Sequence, residues 1–503
     1  MPPETFIYDS QEQSEFSNKN SYLVSNTNDA NLNEEKIPIP VVFVEGFLGA
    51  GKPSYWGTLQ SIFSNPSDNR NNNANEDKNG WKPCHKIRPC IFVTPGCGSS
   101  LHDRAVEIFY QIKGGRVDYG EEHARQYGHS RYGREYSGLY TEWSVSKPLH
   151  FLGHSLGGVT IWKLQQLLAS DFFPSQFEPH PDMVRSLTSV SAPFKGSQGV
   201  YILGSCTENL GSVRPFSFGA WLSRFVHIYE FLDIKWIKNL TYDFNCDHWN
   251  FSFTKNLKSM WDEYMGNKNI SHDLNYQKLK EEKTYGLLQC LIKSPWMYCK
   301  DNAPYDMTIH AMNDLNKNSR TFKNTFYRAY VTSITSQDPI TKFHRPQFSF
   351  TLPLPIYLLS YQIGSFKFSS KTKEFPIDPE KELPNWYEND GICPKISQMH
   401  PGGFECNDGM CKHHKGFPNL ITNIRDHKRP NEGFENIVEV DDEIIKDNLK
   451  YEPGIWDVWE INGISHFGLI PVWHGTKDQE LFFKGYKEYL DCLDKLDINK
   501  KFS

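Results

Sequence analysis

Hydrophobic and polar positions fall into blocks along this chain. Residues 1–36 are polar, with little apolar periodicity. A segment of that kind buries too little surface to offset the entropy of ordering, so a disordered tail is expected. Order is expected to begin at Ile37, in a single domain over 37–503. Short apolar runs at 37–44, 87–94, 148–152 and 187–191 predict buried strands, as do 326–333 and 454–463. Between them, 103–111, the stretch opening at 160–169, and 474–490 carry helical spacing, the last with Phe482, Phe483 and Tyr486. Residues 254–320 read as mostly helical and polar, and 64–80 as an Asn-rich surface insertion. Residues 114–134 hold too many glycines for one helix. Within 212–240, Trp221, Phe225, Tyr229, Leu232 and Trp236 share one helical face, and Leu222, Val226, Ile228 and Ile237 widen it. By composition alone that helix fits a buried core.

The junction of the 148–152 strand and the following helix reads Gly153-His154-Ser155-Leu156-Gly157. A G-x-S-x-G turn between strand and helix lifts a serine hydroxyl clear of the sheet, and the next N–H, that of Leu156, lies at a helix N-terminus where it faces a developing oxyanion. The first apolar strand runs into Glu45-Gly46-Phe47-Leu48-Gly49, the place for a second donor, the Phe47 N–H. The bland readings, a glycine-rich turn and a plain β-turn, fit the same residues. A serine hydroxyl also needs a base and an orienting acid, in the chain order Ser, acid, His. His466 follows the last strand, with His400, His413, His414 and His474 as rivals. For the acid, Asp390 in a loop before that strand competes with Asp306 and Asp338.

Composition narrows the classes. Net charge is −6, which gives no footprint for nucleic acid. Eleven cysteines are scattered, without a disulfide framework. The first residues lack a basic and then apolar leader, so an intracellular, cytoplasmic location is the expectation. The longest uncharged run, 346–366, holds three prolines and several polar residues; it is expected near the pocket mouth or in the core rather than across a membrane. Cys393, His400, Cys406, Cys411, His413 and His414 match no standard zinc spacing and read as part of an inserted loop over 393–435.

Longer motifs carry a resemblance. Asp103-Arg104-Ala105, Gly115, Val117-Asp118-Tyr119-Gly120, His123, Gly128-His129 and Gly133-Arg134 with Tyr136 closely resemble the thermoalkalophilic bacterial lipases of the Geobacillus and Staphylococcus type. The resemblance runs in patches from about Pro38 to Leu490. It implies an α/β-hydrolase fold with a mostly parallel central sheet, acyl-ester hydrolysis, a helical lid around 212–240 and a structural zinc site. It implies Ser155, Asp390 and His466 as the triad, and Asp103, His123, His129 and Asp247 as zinc ligands. Two imidazoles and two carboxylates would make a closed site. Where the family has a histidine in the first loop this chain has Glu45. Where the family binds calcium through acidic residues after the catalytic histidine, it has Gly468 and Trp473, so that site is expected to be absent. The expected substrate is a lipid ester met at a lipid interface. An esterase or thioesterase for soluble acyl compounds is the alternative, and a silent binding protein on the same scaffold a more distant one.

Overall fold

The computed structural model describes residues 37–49, 53–57, 59–64, 87–232, 243–249, 296, 298–347, 352–367, 382–402, 411–415, 451–470 and 476–496. The polar tail, the Asn-rich insertion and most of the 393–435 loop lie outside them.

Seven strands form one sheet: β1 (Val41–Val44), β2 (Cys90–Val93), β3 (Leu149–His154), β4 (Val184–Val190), β5 (Phe326–Ser333), β6 (Cys411–Lys415) and β7 (Trp456–Asn462). Their order across the sheet is β6-β7-β5-β4-β3-β1-β2, and each neighbouring pair is parallel. Parallel strands are covered on both faces, which is why their sequences run apolar without alternation. The pleat still sorts the side chains. Val42, Val44 and Phe151 enter one core with the helices α1 (Leu101–Lys113) and α2 (Leu156–Leu168). Val41, Phe43 and Leu152 enter the other, under the last helix, α5 (Lys477–Lys495). A Thr476–Gln479 capping box starts α5, which buries Phe482, Phe483, Tyr486, Tyr489, Leu490 and Leu493. Arg88 ties it to the sheet through Asp491 and Asp494, at 2.5 and 2.9 Å.

The chain reverses its direction of travel across the sheet at β1, flanked by β2 on one side and β3 on the other. Parallel sheets bind ligands at the carboxyl ends of strands beside such a switch point. The Gly46–Phe47 loop after β1 and the Ser155 turn after β3 both lie there.

Two differences from the sequence expectations have physical causes. Helix α2 starts at Leu156, not Thr160; Gly157 and Gly158, poor helix formers, hid its first turn. Strand β6 was not foreseen, because Cys411-Lys412-His413-His414-Lys415 has no apolar pattern. It is an edge strand, held by Lys412–Glu452 (3.2 Å) and His414–Asp457 (2.9 Å) contacts on one face. Residues 114–134 form two short antiparallel strands around a helix of seven residues. Among the described residues, no helix is long and apolar enough to cross a membrane.

Candidate active site and metal-ligand group

Ser155 sits at φ 53°, ψ −127°, the sharp turn that the strand-to-helix change demands. Its flanking glycines are required by space. A Cβ on Gly153 would lie 2.4 Å from the Gly157 carbonyl carbon, and one on Gly157 would lie 2.2 Å from the Val44 oxygen. The Ser155 N–H donates to the Val190 carbonyl at 2.8 Å, anchoring the turn to β4. Leu156 opens α2, so its N–H has no intrahelical acceptor.

The fold brings together His466 and Asp390, the residues read from the sequence as base and orienting acid. His466 Nδ1 donates to Asp390 Oδ2 at 2.8 Å, both residues being buried. That carboxylate is held from every side. Oδ2 also accepts from Thr332 Oγ1 (3.1 Å) and Gln398 Nε2 (3.2 Å), and Oδ1 from the Ile392 and Cys393 N–H groups (3.0 and 2.7 Å). The His466 N–H returns to the Asp390 carbonyl at 2.9 Å. With Nδ1 protonated and committed, Nε2 is the free basic nitrogen of His466. The dyad lies against the serine turn, since His154, next to Ser155, bonds the His466 carbonyl at 2.9 Å.

The loop after β1 abuts Ser155. A Cβ on Gly46 would come within 2.9 Å of the Ser155 Cβ, so only glycine lets the Phe47 N–H approach. Buried Arg104 on α1 steadies this loop, donating to the Glu45 carbonyl (2.6 Å), the Gly96 carbonyl (2.8 Å) and Thr160 Oγ1 (3.1 Å). The Glu45 side chain is itself buried and lies against Gly49.

A second group forms beside α1. Asp103, His123, His129 and Asp301 bring one ligand atom each within 4.8 Å of one another. The fourth residue corrects the sequence expectation. Asp247 is absent from the group because its carboxylate bonds Arg134 Nε at 2.5 Å, and the same guanidinium holds Asp243 bidentately. The donor chemistry fits a divalent cation. His129 Nδ1 bonds the Ser130 carbonyl at 2.9 Å; a carbonyl only accepts, so Nδ1 carries the proton and Nε2 presents its lone pair. That Nε2 and Asp301 Oδ2, 3.2 Å apart, are buried without a hydrogen bond among the described residues. Burial would raise Asp103, yet bonds from His123 and His248 hold it well below the usual carboxylate range. His123 is lowered by burial but lifted overall to about 9 by Asp103 and Asp301. Two buried carboxylates among imidazoles call for positive charge.

A third cluster, His400, Cys411 and His413, also lies within ligand distance. Cys411 is disulfide-bonded, so no thiolate is available there. Of the two positions read against the calcium pattern, Gly468 carries no carboxylate and Trp473 lies outside the described residues.

Helix α3 (Phe218–Leu232) buries Ala220 and Val226 yet leaves much of its apolar surface outward. Phe218, Trp221, Phe225 and Ile228 are exposed, whereas Ser223, His227 and Glu230 face inward. Tyr229 packs on Phe244; the Leu232 side chain and Trp236 are outside the described residues. Helix α4 (Leu354–Ile363), within the long uncharged run, likewise exposes Leu354, Leu358 and Tyr361. Its Ser360 hydroxyl donates to Asn389 at 2.8 Å, placing α4 beside the acid loop.

Known proteins share the fold that carries these residues. The family described as "Lipase-like, C-terminal domain" matches residues 38–220. Lipase 2 of Staphylococcus aureus is 28% identical over 388 residues, 72% of this chain and 45% of that protein. The chain is thus similar in sequence to Staphylococcus lipases. It spans less than half the length of that curated relative. The Staphylococcus hyicus lipase structure superposes with a TM-score of 0.59 at 22% identity, over 93% of this chain and 99% of that one. EstA from Clostridium botulinum gives 0.55 at 21%, over 97% and 92%. The fold of this chain is thus the α/β-hydrolase type, as the motifs implied.

Several residues at these sites escaped sequence reading. Thr332 and Gln398 come from β5 and the short Lys395–Gln398 helix, and only folding brings them to Asp390. Asp301 had one available signal. It directly precedes Asn302, the N-cap of a Pro-started helical turn, a rigid position for a ligand.

Proposed function

We propose that this protein is a serine hydrolase of carboxylic esters that acts on lipid esters, acylglycerols foremost. The observation that carries the reading is the buried His466–Asp390 pair beside a serine held at positive φ on a strand-to-helix turn. In the reaction, His466 Nε2 takes the Ser155 proton as Oγ attacks the ester carbonyl. The Phe47 and Leu156 N–H groups receive the oxyanion, and the leaving alcohol takes the proton from His466. Water, deprotonated by the same nitrogen, then releases the acid and restores Ser155. Asp390 holds the imidazole in its Nδ1–H tautomer and stabilises the cation that forms. One oxyanion donor contributes about 3 kcal/mol to such a transition state.

The outward apolar faces of α3 and α4 favour lipid over soluble substrates. Exposed area of that kind gains about 25 cal/mol per Å² on leaving water, and α3 is the natural lid. Asp103, His123, His129 and Asp301 fit structural zinc: when bound, the ion neutralises the two carboxylates and clamps α1 to the segment that follows α3. Calcium is expected neither to bind tightly nor to stabilise the protein.

The test is hydrolysis of p-nitrophenyl esters from acetate to palmitate by the wild type and Ser155→Ala. Activity rising toward longer chains and lost in a folded Ser155→Ala protein is expected. An inert wild type, or a folded Ser155→Ala variant with full activity, would overturn the reading.

A further inference from the structure

We propose that Tyr55 and His154 act as a positioning relay, one hydrogen-bonded chain that fixes the oxyanion loop and the base loop against the nucleophile turn. The role rests on the ester-hydrolase reading; the chain of bonds does not. Tyr55 lies on the short helix Pro53–Trp56, and both it and His154 are buried.

The polarity of the chain is set from its two ends: a backbone N–H can only donate, and the His466 carbonyl can only accept, which puts the His154 proton on Nε2 and leaves Nδ1 to accept. The Gly46 N–H can only donate, and it donates to the Tyr55 hydroxyl oxygen at 2.9 Å. The hydroxyl proton is then directed at His154 Nδ1, 2.5 Å away. A nitrogen that accepts carries no proton, so the neutral ring is protonated at Nε2. That N–H donates to the backbone carbonyl of His466 at 2.9 Å. The imidazole rings of His154 and His466 pack at 4.9 Å. Burial, with His466 nearby, keeps the His154 ring neutral, and burial keeps the Tyr55 hydroxyl protonated, so the pattern does not change near neutral pH.

The position of this chain is what gives it a role. Gly46 precedes Phe47, whose N–H is the proposed oxyanion donor. His154 precedes Ser155. The His466 carbonyl belongs to the base itself. Three loops that must agree to within a fraction of an ångström therefore share one set of bonds, and the residues that join them, Tyr55 and His154, are buried. Small misplacement of reacting groups is enough to slow chemistry about 100-fold. A phenylalanine at 55 fills the same space but leaves the Gly46 N–H without its acceptor and His154 Nδ1 without its donor, so the ring is free to change tautomer.

The experiment compares the wild-type chain with Tyr55→Phe, His154→Gln and the double variant. Active sites are titrated with an irreversible alkylphosphonate, and kcat per titrated site and KM are measured on p-nitrophenyl butyrate. Tyr55→Phe should lower kcat per site by about 10- to 100-fold with KM changed less than about twofold. Because His154→Gln breaks the same Tyr55 link, the double variant should be no slower than the slower single one. Unchanged kcat per site in both single variants, even with lower melting temperatures, would reduce the network to a structural one and overturn the relay; so would losses that multiply in the double variant. A wild type that neither reacts with the phosphonate nor cleaves the ester would defeat the enzyme reading instead. Histidine-ring 15N NMR then judges the chain alone: a neutral His154 with its proton on Nε2 is required, and a proton on Nδ1 or a charged ring overturns it.

Discussion

Ser155 occupies a backbone region that side chains resist, and the sheet enforces it. Conformations of this kind cost about 1–3 kcal/mol. Ser155→Gly removes the conflict and Ser155→Ala does not. Both should be inactive, but Ser155→Gly should be more stable, by about 1–2 kcal/mol in denaturant titration. Equal stability of the two would mean that the turn carries no strain. Gly153→Ala should move the other way: its Cβ meets backbone 2.4 Å away, an overpacking that costs about 3 kcal/mol. At this scale the sequence was informative wherever backbone sterics dictate residue type. The Gly153-x-Ser155-x-Gly157 spacing is such a place. It was uninformative where a side chain is chosen by a distant partner. Asp247 and Asp301 are both acidic residues beyond α3, and the Arg134 contact to the first separates it from the group that His123 and His129 form with the second. Gln398 shows the same limit, since nothing local marks it as a donor to Asp390.

Among the elements, α3 and β7 show how context overrides pattern. The apolar periodicity of α3 fits a core helix, yet the fold turns its aromatic face outward and seats Ser223 and His227 inside. Periodicity gives the face and not its direction. If that face meets lipid, Trp221→Ser with Phe225→Ser should weaken partition of the protein into phosphatidylcholine vesicles by about tenfold or more, and unchanged partition would leave α3 without an interfacial role. On β7, Glu460 is raised by burial but pulled down to about 2 by His413 and Lys395. A carboxylate whose folded value lies below its ordinary 4.5 stabilises the fold fully above that value and loses the contribution as pH falls from about 4.5 toward about 2. Glu460→Gln should thus be less stable than wild type at pH 7, by about 1 kcal/mol given partial screening. The gap should close on acidification over that window. A constant difference from pH 7 to pH 2 would assign the loss to packing.

Across the whole molecule, the metal-ligand group joins parts of the chain that the sheet does not. Asp103 lies on α1, His123 and His129 lie between the two strands of the small antiparallel pair, and Asp301 comes after α3, roughly 200 residues beyond Asp103. Closing a segment of that length restricts the unfolded chain strongly in theory, and an ion bound only by the native state adds stability by mass action, about 3 kcal/mol at a concentration one hundred times its dissociation constant. The four ligands do not contribute alike to folding without metal. Asp103 also accepts from His248 at 3.1 Å, so its loss disrupts a buried network directly. Asp301 pairs with His123 and His129, the other two ligands of the group, which makes it the cleaner probe. Asp301→Asn should lower bound zinc well below one per chain and reduce the melting temperature in zinc, while in chelator its stability should come close to that of the chelated wild type. Asp247→Asn should keep its zinc and lose only an Arg134 contact, about 1 kcal/mol or less at that partly exposed site. Elemental analysis with thermal melts of the two variants separates the assignments. Zinc retained by Asp301→Asn, or lost from Asp247→Asn, would return the fourth ligand to the position that the family resemblance suggested.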